Sequence, residues 1–73
     1  MRLRPLSFRE VKRKLEVAGF HTVSQKGSHL KFIKEENDSR LVVIVPNHPF
    51  IKKGTLSAII DQAGMTLSEF EKL

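Results

Sequence analysis

Cysteine is absent from this 73-residue chain, which excludes disulfides, thiolate zinc sites and a thiol nucleophile together. Tryptophan and tyrosine are absent too, so the five phenylalanines carry all the aromatic character. No apolar run approaches the ~20 residues needed to cross a bilayer, and the opening stretch MRLRPLSF has no apolar core of a signal peptide. A cytoplasmic protein without a membrane anchor is the expectation. Glycine and proline are scarce, with four and three copies, and no repeat, linker or low-complexity segment interrupts residues 1–73. One domain is therefore expected.

Acidic residues are the minority charge. Eight Asp and Glu face thirteen Lys and Arg, for a formal net charge of +5, and such an excess suits a polyanion, because neutralised phosphates release condensed counterions. A chain this small buries only about 60% of the surface its unfolded form exposes. Its chemistry should lie on an open face or shallow groove, which fits a polymer better than an enclosed metabolite. The 40% hydrophobic and 29% charged content is that of a folded protein.

In PLSFREVKRKLEVAGF, Ser7 and Glu10 have capping-box spacing and Leu6 with Val11 forms a hydrophobic staple. The helix should run over 8–18, with Phe8, Val11, Leu15 and Ala18 on one stripe and Arg9, Lys12, Arg13 and Lys14 off it. Gly19 suits a left-handed cap. The period then becomes two. Residues 20–25 and 29–34 read as strands joined through Lys26-Gly27-Ser28, with Leu30 and Phe32 on one face and His29, Lys31 and Ile33 on the other. KEENDSR is a turn, and LVVIV at 41–45 is a β-branched strand, apolar on both faces and so expected inside the sheet. Pro46 ends it. A second helix over 54–63 places Leu56, Ile59, Ile60 and Ala63 on one stripe and repeats the glycine cap at Gly64. Thr66 and Glu69 open a short last helix. The class is α+β, with a three-stranded antiparallel sheet, both helices on one face and the other face wet.

His29 is the first candidate for chemistry, since an imidazole exchanges a proton near neutral pH and Lys26, Ser28 and Lys31 could hold a phosphodiester against it. On spacing alone, a polar surface residue beside a turn is the better account of it. The second candidate is VPNHPFIKKGTL, where His48, Lys52 and Lys53 precede a helix whose amide end attracts anions. The plain alternative is a proline-stiffened loop with solvated lysines. His21, His29 and His48 show no metal-ligand spacing, and EENDS lacks the alternating oxygen ligands of a calcium loop, so no metal or other cofactor is expected. Phe8, Phe20, Phe32 and Phe70 fall at core or capping positions, which leaves only Phe50 as an exposed aromatic and makes a stacking platform for RNA a thin reading.

The ordered pieces GFHTVSQKGSHLKF and VVIVPNHPFIKKGTLSAIIDQAGMTLSEF resemble the HicA family of toxins from HicA and HicB toxin–antitoxin pairs, over roughly residues 8–70. That resemblance implies a fold like a double-stranded-RNA-binding domain, α-β-β-β-α, and a metal-independent, ribosome-independent mRNA endonuclease. It implies His29 as the catalytic histidine, with Gly27 and Ser28 completing the Gly-Ser-His motif. Lys26, Lys31, His48, Lys52 and Lys53 would then contact RNA, and a HicB-like antitoxin would cover the His29 face of a free protein expected to be a monomer. Two competing classes need no catalysis. One is an RNA-binding module of the same fold; the other is a protein-interaction domain docking through VPNHPF.

Overall fold

A computed structural model describes residues 3–73 of the chain. Its elements are β1 (Leu6–Ser7), α1 (Phe8–Val17), β2 (His21–Lys26), β3 (His29–Glu36), β4 (Ser39–Pro46), β5 (Phe50–Ile51), α2 (Lys53–Gln62) and α3 (Leu67–Glu71). Local chemistry sets most of their ends. Ser7 Oγ accepts the Glu10 N–H at 3.2 Å to cap α1, while the Glu10 carboxylate turns away to pair with Arg13, so only half of the expected capping box forms. At Thr66 and Glu69 the box closes in both directions. The two glycine caps are alike: Phe20 N–H donates to the Leu15 carbonyl at 2.9 Å and Met65 N–H to that of Ile60 at 3.2 Å, with Gly19 and Gly64 at positive φ. Both are Schellman endings.

Two tight hairpins build the main sheet. Gly27 at φ +61° and Ser28 form the two-residue loop between β2 and β3, and Asn37 and Asp38, at φ 50° and 64°, form the one between β3 and β4. The paired left-handed residues Asn37 and Asp38 are the pattern of a type I′ turn, which matches strand twist. The turn expected across KEENDSR thus shrinks to two residues, and the strands extend to meet it. Consecutive hairpins force sequential neighbours to pair, giving the order β2-β3-β4.

That order corrects one expectation. The strand containing LVVIV is an edge, and the more polar β3 lies in the centre. Both faces of β4 are apolar because Val43 and Val45 enter the core while Val42 and Ile44 stand about two-fifths exposed on the open face. Its free edge is partly closed by Gln62, whose side-chain carbonyl accepts the Ile44 N–H at 3.0 Å.

Leu30, Phe32, Val43 and Val45 from the sheet meet Val11 and Leu15 from α1 and Leu56, Ile59 and Ile60 from α2 in a single core. Both helices therefore cover one face and leave the other open, the α-β-β-β-α arrangement of a double-stranded-RNA-binding domain followed by a short helix. A second correction concerns Lys14, which lies on the packed side of α1 at 8% exposure. Its ammonium donates to the carbonyls of Phe70 at 3.2 Å and Leu73 at 3.0 Å and sits 5.3 Å from the Phe70 ring centre. A small two-stranded pairing of β1 with β5, Leu6 opposite Ile51 and Ser7 opposite Phe50, ties the start of α1 to the start of α2. No sequence pattern announced it.

Candidate nucleic-acid interface

Strand alternation assigns the open face. Along β3, Leu30 and Phe32 are buried while His29 and Lys31 are exposed, as a period of two requires. The neighbours across the ladder follow from register. His29 stands opposite Lys26 on β2 and Pro46 on β4; Lys31 stands opposite Ser24 and Ile44.

Lys26 reaches that place through an irregularity. The register shifts between Thr22 and Ser24, so Val23 is an extra residue in β2, a β-bulge. Uninterrupted pairing from Thr22 opposite Phe32 would bring Gln25, not Lys26, beside His29. The bulge thus supplies a cation and a hydroxyl on the open face, where a regular strand would supply Gln25 and Val23.

Ser24, Lys26, His29, Lys31 and Ile44 line one shallow depression of about 320 Å³. It holds an imidazole, two ammonium groups and a hydroxyl above an apolar wall, and no carboxylate lines it. Such a lining attracts an anion and brings it against the imidazole.

The second cluster begins where the first ends. The Asn47 N–H donates to the Ser28 carbonyl, which straps the proline loop to the Gly27-Ser28 turn. Beyond the strap, His48 lines a separate depression, also about 320 Å³, with Ser7, Phe8, Arg9, Asn47 and Pro49. The two histidines therefore serve neighbouring hollows rather than one. Lys52 and Lys53 are exposed at the start of α2, and the N-cap Lys52 makes no side-chain hydrogen bond to the first amides. Arg9 is an addition that sequence reasoning missed: it read as one more polar residue of α1, and only the return of the chain through Asn47 and His48 makes it part of a cationic hollow.

Among the described residues, no group of three His, Asp or Glu side chains gathers closely enough to hold a metal ion. No helix among them is long and apolar enough to cross a membrane.

The Gly-Ser-His turn and the Pro-Asn-His loop that the strap joins lie within the span matched by a family model, that of the HicA toxin of bacterial toxin–antitoxin systems, which covers residues 8–65. The chain belongs to the HicA toxin family. No curated protein matches the chain as a relative. Membership gives the molecule a toxin role and implies an antitoxin partner. Of the residues expected to act, Lys26, His29 and Lys31 gather around one hollow, Gly27 and Ser28 form the turn beside it, and His48, Lys52 and Lys53 follow along the strapped loop.

Proposed function

We propose that this HicA toxin is an mRNA endonuclease that acts without metal or ribosome and uses His29 as its general base. The observation that carries the reading is the pairing of an exposed imidazole with Lys26 and Lys31 in one open hollow of a basic protein. In the reaction, His29 takes the proton of a ribose 2′-hydroxyl, and the 2′-oxygen attacks the adjacent phosphorus. The bond to the 5′-oxygen breaks, leaving a 2′,3′-cyclic phosphate and a 5′-hydroxyl. The leaving oxygen takes its proton from solvent, to which the hollow is open. Lys26 and Lys31 offset the charge that builds on the phosphoryl oxygens, while Gly27 and Ser28 let the RNA backbone approach the turn. Lys52, Lys53 and His48 contact phosphates further along the strand.

The same face serves the antitoxin. Val42 and Ile44 offer an apolar centre beside Lys26 and Lys31, so an acidic HicB-like partner that covers them also covers His29. Inhibition would then be occupancy.

A single general base typically contributes ~10² to 10⁴ in rate. His29→Ala should therefore lose cleavage of an mRNA in EDTA by at least two orders of magnitude while its salt-sensitive RNA binding persists. Undiminished cleavage by the variant rejects His29 as the base; cleavage that needs a divalent ion rejects the metal-independent route; and wild-type binding without cleavage at any pH favours the non-catalytic RNA-binding module.

A further inference from the structure

Phe50 is the most exposed large apolar side chain among the described residues, at 68%, and the fold makes it so. Its neighbour Ile51 is 1% exposed and belongs to the core, and alternation along β5 then turns the phenyl ring outward. The backbone beneath the ring is held on three sides. Phe50 pairs with Ser7 of β1, Pro49 fixes the torsion before it, and Lys52 begins the cap of α2 just after it. A phenyl ring left in water is costly by itself, since burying its apolar surface is favourable.

The surroundings of the ring combine cations with the apolar Phe8 and Pro49. His48 and Pro49 precede it, Lys52 and Lys53 follow Ile51, and its cross-strand partner Ser7 lines the hollow that also holds Arg9 and His48. Aromatic anchors of protein interfaces sit inside a continuous apolar surface. The exposed pair Val42 and Ile44 could form such a surface, but Ile44 lines the His29 hollow, which Phe50 does not. An exposed aromatic on a fixed backbone, with cations close by in the chain, is instead the arrangement that binds unpaired nucleic acid, where a base stacks on the ring and the flanking phosphates meet cations.

We infer that Phe50 is a stacking platform for one unpaired nucleobase of the RNA, with Arg9, Lys52 and Lys53 taking the phosphates on either side. The inference rests on the RNA reading above and adds a substrate form to it. A base within a duplex already has both faces covered by its neighbours. The toxin should therefore prefer single-stranded RNA beside the Phe50 loop, in spite of a fold associated with double strands.

The test uses a short 2′-O-methyl oligonucleotide, which cannot undergo 2′-oxygen attack, as a single strand and as a duplex. Phe50→Ala should weaken single-strand binding by about 5- to 150-fold and leave duplex binding unchanged. Its salt dependence should stay that of the wild type, because no charge is lost. Phe50→Trp places a sole tryptophan in a chain that has none. It should keep wild-type affinity, and its emission should be quenched by the oligonucleotide but not by an abasic strand of equal length. Wild-type affinity for Phe50→Ala together with unquenched Phe50→Trp in the bound complex overturns the stacking role and leaves the RNA reading standing. Failure of the wild-type chain to bind either oligonucleotide overturns both. Loss of antitoxin binding by Phe50→Ala, with RNA affinity intact, reassigns the ring to a protein contact and overturns the inference.

Discussion

Lys14 carries a positive charge into a place with almost no water, 8% exposed, and spends it on the carbonyls of Phe70 and Leu73 and on the ring of Phe70. The Phe70 carbonyl also accepts the Leu73 N–H at 3.2 Å, and a cation there meets the negative end of the helix dipole. Hydrogen bonds to a charged donor contribute about 1.5–3 kcal/mol each, less what is lost in desolvating the ammonium. Lys14→Met keeps the alkyl volume and removes the donor, so it should destabilise the fold by about 1–3 kcal/mol. Thermal unfolding should fall by roughly 4–8 °C per kcal/mol in a domain this small; an unchanged midpoint would show that the ammonium holds nothing in place. Sequence reasoning set Lys14 among the solvated residues of α1, because its partners are 56 and 59 positions away. The outward direction of His29 was legible for the opposite reason: it depends only on its immediate neighbours Leu30 and Phe32 being buried. Its company was less so, since Lys26 reaches His29 through the bulge at Val23.

The elements themselves were read where they are made locally. Ser7 caps α1, Thr66 and Glu69 cap α3, and Gly19 and Gly64 close α1 and α2, each through contacts within about one turn. Features that depend on distant pairing escaped, namely β1 with β5, the bulge, and the edge position of β4. The apolar character of β4 on both faces pointed to a central strand, but turn geometry outranks composition in fixing strand order. The hairpin at Asn37 and Asp38 shows how strongly it does so, since both residues hold left-handed torsions that cost most side chains about 1–2 kcal/mol. Asp38→Gly should be neutral or mildly stabilising, whereas Asp38→Val should lose about 1–2 kcal/mol in urea unfolding. Equal stabilities for the two variants would mean that the turn does not constrain the sheet.

At the scale of the whole molecule, the division into a helical side and an open side sets the core apart from the proposed site. The buried apolar residues form one core between helices and sheet, while Lys26, His29 and Lys31 stand on the face that contributes least to it. Substitutions there should change activity with little effect on folding, and this is why His29→Ala is a clean probe. One face holds the molecule together, and the other is free to be occupied.

The hydrogen bond from Ile44 to Gln62 has a bearing on how long the free toxin survives as separate molecules. An unguarded strand edge templates the addition of another copy, and β4 joins half-exposed Val42 and Ile44 to such an edge. By occupying the Ile44 amide, Gln62 breaks the row of donors that a second chain would need for polymerisation. Gln62→Ala should leave cleavage unaltered yet bring faster growth of light scattering and thioflavin fluorescence in concentrated solution; growth at the wild-type rate would remove this guarding role. On the expected outcome, one surface glutamine on α2 would be what keeps this strand edge from seeding a deposit of the toxin itself.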